Sequence, residues 1–340
     1  MSMNKTLVTQ KSNRYSVSIK SELLQQLLAF GSLIVLVLVF SLASDNFFQF
    51  TNIVGVLLST AVVGVLALGS TFVIITGGID LSVGTVMTLT AVMTGVSISY
   101  WGWPIWAGLL VGLSTGALCG FVSGVAVAKM KIPPFIATLA VMMIAKGLAL
   151  VISGTRPVYF PTPDKGFGFS DISLDSLFNK IIPGFKIPNA VVIFFGVAII
   201  GSIILSRTII GRYNFAIGSN EEATRLSGVN VNYWKIVIYT ITGLFTAIAG
   251  ILIASRLNSA QPALGAGYEL EAIAAVVIGG TSLSGGKGSI LGTVIGALIM
   301  SVLTNGLRIM SVPQEWQTVV VGFVIFLAVY ADILRRKKAS

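Results

Sequence analysis

The sequence contains no histidine, a single cysteine and few charged residues. Without histidine, imidazole metal sites and histidine general bases are excluded. Because Cys119 is the only cysteine, an intramolecular disulfide is excluded as well. Charged residues make up 10% of the chain and hydrophobic residues 55%, whereas soluble proteins are about 25% charged. A soluble globule this apolar would lack polar surface, so soluble enzyme classes are excluded and a lipid-embedded chain is predicted.

Ten apolar segments divide the 340 residues, and they predict an all-α polytopic membrane protein with about ten transmembrane helices. The segment before Ser284 is short, so a broken or re-entrant helix is an alternative there. The predicted organisation is a single membrane domain, 27–334, between an N-terminal segment, 1–26, and a basic tail, 335–340. The ten segments cover roughly 27–43, 53–75, 80–98, 104–127, 136–154, 189–206, 235–255, 270–283, 289–308 and 316–334.

Basic residues predict the orientation of these segments. Lys and Arg total 22 against 12 Asp and Glu, an excess that cytosolic loops of membrane proteins explain without nucleic acid as a partner. If both termini are cytosolic, 15 of the 22 basic residues lie inside and six outside. The bias therefore favours cytosolic termini and an even number of spans.

Glycine recurs every fourth residue in two of the predicted helices. A row of this kind forms a slowly winding groove along which the backbone of another helix can approach closely. Two interpretations are open, a static packing interface and a sliding interface between moving helices, and both predict a tight helical bundle. The two rows are Gly108, Gly112, Gly116, Gly120 and Gly124, and then Gly288, Gly292 and Gly296.

Two connections are longer than the others. The first, 155–188, contains five prolines and is predicted to face outward. Within it, Asp171–Ile182 can form a short helix with one apolar face on the membrane surface, and a disordered linker is the alternative. The second, 207–234, is predicted to face the cytosol.

The cytosolic connection predicts a short helix with both ends specified. Ser219 and Glu222 have the spacing of a capping box, and Glu221 and Glu222 lie favourably at the positive end of the helix dipole. Gly228 suits the left-handed position that ends a helix. Because two turns of helix are not stable alone in water, the segment is predicted to dock on a cytosolic partner protein. The alternative is a surface helix resting on its own membrane domain.

Four stretches resemble the permease subunit of bacterial ATP-binding-cassette importers for monosaccharides, the ribose, xylose, arabinose and galactose group. They occur in the family's order and are Gly77–Gly84, Gly218–Val231, Gly267–Gly280 and Ser282–Gly288. The ribose branch is nearest, on the segments Ala223–Gly228 and Ser259–Pro262. The resemblance implies a location in the bacterial inner membrane and a coupling helix that docks on an ATPase. That helix comprises Ser219, Asn220, Glu221, Glu222, Ala223, Thr224, Arg225, Leu226, Ser227 and Gly228.

The resemblance also implies the partners of the chain, namely a second permease subunit, a pair of ATPase subunits and a soluble periplasmic sugar-binding protein. A homodimer is the expected permease pair. The segment Gly280–Gly288 superficially resembles a phosphate-binding loop, but Thr281 occupies the position of the required glycine and Gly288 that of the Ser or Thr. We therefore expect no cofactor or metal on this chain, with ATP and Mg²⁺ on the ATPase. No nucleophile–base pair is evident, so an enzyme is not predicted.

Polar residues within or near the apolar segments are candidates for the transport pathway. Asp80 lies in a glycine-rich motif where a helix can break, and either a functional carboxylate at membrane depth or a helix cap fits it. Glu269 and Glu271 suit either an outer vestibule for a polyol or the start of a helix. The candidates are Gly77, Gly78, Asp80, Ser82, Gly84, Asn258, Gln261, Glu269 and Glu271.

The predicted function is a conduit for sugar, driven by ATP hydrolysis on another chain. The alternative is a secondary sugar transporter driven by an ion gradient. That alternative needs buried titratable or sodium-coordinating groups on several helices, and this sequence offers few.

Overall fold

The computed structural model describes residues 26–163, 166–182, 184 and 186–339. Over this part of the chain the protein is predominantly helical with two very short strands, as the predicted all-α class requires. The predicted N-terminal segment, apart from Gln26, lies outside the described residues, as do Ser340 and the side chains of the basic tail 335–340.

Fourteen helices and two short strands occur among the described residues. The first half of the chain contains α1 Gln26–Ala43, α2 Phe50–Ile75, α3 Val83–Ser99, α4 Ile105–Ala128, α5 Pro134–Ser153, β1 Val158–Tyr159, α6 Asp171–Leu174 and α7 Leu177–Ile181. The second half contains α8 Asn189–Arg207, α9 Ile209–Ser219, α10 Glu221–Leu226, α11 Val231–Leu257, β2 Ser259–Ala260, α12 Tyr268–Ile278, α13 Ile290–Ile309 and α14 Gln314–Ala339.

Helices α2, α3 and α4 contain no charged residue, which is the pattern of helices buried in a bundle or in lipid. Helices α2 and α11 form the centre, and α11 packs against α2, α3 and α4. The peripheral helices expose large apolar side chains, including Leu42 at 91% and Val151 at 78% exposure. An apolar outer surface of this extent fits contact with lipid chains rather than with water.

Each of the ten predicted apolar segments coincides with a helix, but two of these helices are short. Among the described residues, eight helices are long and apolar enough to cross a membrane. Helix α3 has 17 residues, and α12 has only 11. Since a helix rises about 1.5 Å per residue, α12 covers about half of the roughly 30 Å hydrocarbon core. The short segment predicted before Ser284 is therefore a half-length helix, and the count of ten spans remains a prediction.

The bundle has two distinguishable ends. The outer end, as we name it, holds β1 and β2, which pair antiparallel with Val158 opposite Ala260. The inner end holds α9, α10, the α2–α3 connection 76–82 and the α12–α13 connection 279–289. That the inner end faces the cytosol remains a prediction from the basic residues.

The outer connection differs from the single helix predicted over Asp171–Ile182. Two short helices form instead, because Asp175 has an extended backbone and Ser176 caps α7 by accepting a hydrogen bond from the Asn179 backbone N–H at 3.2 Å. The buried Ser173 of α6 donates a hydrogen bond to the Leu252 carbonyl of α11 at 2.9 Å. The connection is thus packed on the bundle.

The glycine row of α4 faces two different helices. All five glycines are buried. Gly108 and Gly112 lie against α3, and the remaining three lie against α11. A Cβ atom on Gly120 would lie 2.2 Å from the Tyr239 carbonyl oxygen, so only glycine permits this approach. On α13, Gly292 and Gly296 face α12 in the same way, while Gly288 before it lies against Ile75 and Thr281.

Candidate functional site

The short helix α10 projects from the inner end of the bundle. Its N-cap lies one residue later than predicted, at Asn220 instead of Ser219, so the predicted capping box between Ser219 and Glu222 is wrong. Ser219 ends α9, and the chain turns through an extended backbone at Asn220. Asn220 therefore holds the N-cap position, and its side chain accepts a hydrogen bond from the Ala223 N–H at 2.9 Å. Gly228 follows the helix with φ +85°, the left-handed conformation expected at its end.

Most of α10 is exposed, although it lies next to the bundle. Thr224 is its only buried residue. Arg225 is exposed, and Leu226 has 83% of its surface exposed. The exposed leucine beside an arginine gives this short helix a surface that is both apolar and basic.

One ionic cluster anchors α10 to the bundle. The Glu221 carboxylate accepts hydrogen bonds from Lys235 of α11 at 2.6 Å and from Arg225 at 2.9 Å. Partial burial alone would raise the pKa of Glu221, but the two cations outweigh it and hold that pKa below its usual value. At neutral pH the carboxylate is therefore ionised and ties α10 to the start of α11.

Three backbone segments meet where α10 leaves the bundle, and we name this contact the inner junction. It consists of Ile75–Gly78, Gly218–Ser219 and Ser284–Gly286. The Gly286 N–H donates a hydrogen bond to the Ile75 carbonyl at 2.9 Å. A Cβ atom on Gly218 would lie 1.8 Å from the Ile75 carbonyl oxygen and 2.6 Å from the Gly286 nitrogen. The end of α9, immediately before α10, is therefore in direct contact with the end of α2 and with the turn before α13.

The Asp80 motif forms the non-helical connection between α2 and α3. Asp80 is only 5% exposed, and its Oδ1 accepts hydrogen bonds from the Ser82 backbone N–H at 2.8 Å and from the Ser82 hydroxyl at 2.6 Å. The N-cap of α3 is Ser82, so Asp80 does not cap that helix directly. It fixes the turn that leads into α3. Gly77 has φ +80°, and Gly84 lies against the carbonyl of Gly265, in the connection that precedes α12.

Three of the predicted outer pathway residues are used for local structure. Asn258 ends α11 with φ +48°, and its side chain donates a hydrogen bond to the Thr162 hydroxyl at 3.3 Å. Gln261 donates to the Ser259 hydroxyl at 3.0 Å. Both carboxylate oxygens of Glu269 accept from the Gly267 N–H at 3.1 Å, before the first turn of α12.

Glu271 instead lines a cavity of ≈ 500 Å³ between α2, α11, α12, α13 and α14, which we name the outer cavity. Its other polar lining residues include Arg256, Ser301, Arg308 and Gln317. Sequence reasoning missed these four residues, because Arg256 and Arg308 served there only as charges that set the orientation. The sequence feature that could have indicated the cavity is the presence of an arginine, Arg256 or Arg308, near the outer end of each of two spans.

Comparison with known proteins identifies the family. The sequence model of a family described as "Branched-chain amino acid transport system / permease component" matches residues 52–329. The chain belongs to this permease family. It is thus a multi-pass transport protein of the inner membrane and not an enzyme.

Individual relatives cover almost the whole permease. It is 43% identical to the ribose import permease protein RbsC of Haemophilus influenzae over 306 residues, which are 89% of this chain and 92% of the relative. The Escherichia coli K12 protein of the same name is 44% identical over 88% of this chain and 91% of the relative. The one from Bacillus subtilis is 41% identical over 93% and 94%, respectively. No solved structure gives a significant match.

Proposed function

We propose that this permease is the membrane-spanning subunit of an ATP-driven importer for a monosaccharide. The observation that supports this most strongly is the identity of 41–44% to relatives named as ribose import permeases. Relatives named for fructose and xylose are 37% and 34% identical. A ribose-like sugar is therefore the proposed substrate.

The proposed coupling element is α10 with its flanking residues, Ser219–Gly228. ATP, with its Mg²⁺, binds to a separate cytosolic ATPase and is hydrolysed there. That ATPase contacts the exposed surface of Arg225 and Leu226. Movement of that ATPase displaces α10, and the inner junction passes the displacement to α2 and α13. ATP binding then shifts the bundle between two states, because the ATPase contacts α10 differently in each of them.

The other proposed partners follow from the same architecture. A soluble periplasmic binding protein delivers the sugar to the outer end, and a second copy of this chain completes the permease. Native mass spectrometry of the purified importer should give two identical permease copies. Two different permease chains in one complex would contradict the homodimer.

The coupling proposal is tested by Arg225→Glu combined with Leu226→Asp. In proteoliposomes that contain the whole importer, ATP-dependent uptake of ribose should be lost, and the ATPase should no longer copurify. The matched control is Lys129→Glu with Met130→Asp, an exposed basic–apolar pair in the α4–α5 connection at the same end. Both variants should insert into the membrane at the level of the unmodified protein.

Two results would contradict the proposed function. One is unchanged ATP-driven uptake in the α10 double variant, which would remove α10 from the coupling path. The other is uptake that persists without ATP and is abolished by an uncoupler, which would favour an ion-driven secondary transporter.

A further inference from the structure

A buried hydroxyl group in the outer cavity lacks a partner. Ser301 is 2% exposed, lines the cavity, and its hydroxyl forms no hydrogen bond with any described residue. Buried hydroxyl groups are nearly always paired, with protein, water or ligand. This hydroxyl, on a residue of the cavity wall, therefore has hydrogen-bonding capacity that the described residues do not use.

Charged groups of both signs line the same cavity, and Arg308 attracts Glu271 across it without a direct ion pair among the described residues. Within the described chain, Arg256, Glu271 and Arg308 form no ion pair at 4.0 Å or less. Arg256 donates one long hydrogen bond, to the Ser59 hydroxyl at 3.3 Å. Since a guanidinium has five N–H donors and a carboxylate accepts only, donors and acceptors remain available on opposite helices.

This lining selects for a particular chemistry. The two arginines repel a cation, whereas an anion would pair with them and also meet the Glu271 carboxylate. An apolar molecule would leave all of these groups without partners, which is costly. A sugar ring is neutral, and each of its hydroxyl groups both donates and accepts, as the lining requires. The volume of ≈ 500 Å³ lies within the range of about 300–1,000 Å³ for small-molecule sites.

We infer that Arg256, Glu271, Ser301 and Arg308 form a transit site, which hydrogen-bonds the hydroxyl groups of the sugar after its release at the outer end. This inference rests on the proposed function, since it takes the cargo to be a sugar. The open cavity and its separate side chains suit weak binding, from which the sugar leaves readily toward the inner end.

The site is tested by protection from chemical labelling. In a Cys119→Ser background, Ser301→Cys places one thiol in the cavity, and Ser311→Cys places a control thiol at an exposed position outside it. The assembled importer in nanodiscs, without ATP, is treated with a methanethiosulfonate ethylammonium reagent. D-ribose at millimolar concentration should slow labelling at position 301 several-fold and leave position 311 unaffected.

Three outcomes of this experiment would overturn the transit site. Position 301 could fail to react, which would make the cavity inaccessible, or it could react at a rate that ribose does not alter. Protection by added phosphatidylglycerol, with none by ribose, would assign the cavity to a lipid headgroup.

A second measurement separates binding from a change in structure. In the Ser301→Cys protein, Arg308→Gln removes charged donors and should raise the half-protecting ribose concentration roughly tenfold. The matched control is Arg156→Gln, an exposed arginine that does not line the cavity, and it should leave that concentration unchanged. If the half-protecting ribose concentration is the same with Arg308→Gln as with Arg308 present, Arg308 is not part of the site.

The two proposals fail in different ways. If uptake is driven by ATP but ribose does not protect position 301 from labelling, the transit site is wrong and the proposed import function stands. If ribose protects position 301 but uptake follows an ion gradient, the transit site stands and the ATP-driven import function is wrong.

Discussion

Gly218 is the position where a single added methyl group should uncouple ATP hydrolysis from transport. In Gly218→Ala the new Cβ would lie 1.8 Å from the Ile75 carbonyl oxygen. Reaching 3.0 Å, the shortest separation that real Cβ atoms show, requires a displacement of at least 1.2 Å. Because the new Cβ would also lie 2.6 Å from the Gly286 nitrogen, the same displacement should break the Gly286–Ile75 hydrogen bond of 2.9 Å.

The expected loss of stability follows from these two effects. One lost backbone hydrogen bond and the overpacking together destabilise the fold by about 2–4 kcal/mol. The inner junction opens as a result, so ATP hydrolysis should continue in the assembled importer while ribose uptake per ATP falls. The assay is thermal unfolding of the purified permease, with ATPase and uptake rates from the same proteoliposomes.

The control for Gly218→Ala is Gly196→Ala on α8. A Cβ atom on Gly196 meets no atom within 4 Å, and alanine is favoured over glycine in a helix by roughly 0.5–1 kcal/mol. Gly196→Ala should therefore unfold at the same or a higher temperature and transport normally. If Gly218→Ala matched it in both respects, the inner junction would not be the point where α10 acts on the bundle.

Three further predictions concern α10, α9 and α4. A spin label at Leu226→Cys, in a Cys119→Ser background, should become mobile as the pH falls below 4.5, the ordinary pKa of glutamate, and through the lowered pKa of Glu221, because protonation of Glu221 releases Lys235 and Arg225. In the Glu221→Gln variant the same label should be mobile at neutral pH. A label that stays immobile in both experiments would contradict the anchor. Asn214 is fully buried, and neither polar atom of its side chain has a partner among the described residues. Asn214→Leu should therefore stabilise the permease by about 1–3 kcal/mol in thermal unfolding, and a lower midpoint would show that the amide has a bound partner. Gly120→Ala should force α4 from the Tyr239 carbonyl, 2.2 Å from the new Cβ, and lower the unfolding midpoint, whereas Gly147→Ala on α5, which meets no atom within 4 Å, should not.

Local patterns in the sequence predicted the helices well. The ten apolar segments each correspond to a helix, because hydrophobicity and helix-ending residues act within one segment. The short segment before Ser284 was recognisable from its length alone. The errors are also local: Asn220 displaced Ser219 as the cap of α10, and Asp175 and Ser176 divided one predicted helix into two. In both places several adjacent residues could cap a helix, and packing against the bundle decided among them.

The outer cavity and the inner junction were beyond the sequence because their members are far apart in the chain. Arg256, Glu271 and Arg308 come from three helices, and each alone has an ordinary explanation as a flanking charge or a helix-start carboxylate. The inner junction joins Ile75, Gly218 and Gly286, whose proximity depends on how α2, α9 and the α12–α13 connection pack. Single-chain patterns contain no information on that packing.

The half-length of α12 bears on how the protein is made. With 11 residues, α12 is too short to partition into lipid by itself as it emerges from the ribosome, since a span needs about 20 apolar residues. The irregular backbone 261–267 that precedes it would also expose unpaired amide groups to hydrocarbon. We therefore expect the chain between α11 and α13 to enter the bilayer only after α13 has inserted and completed the walls around it, so that this region inserts out of chain order.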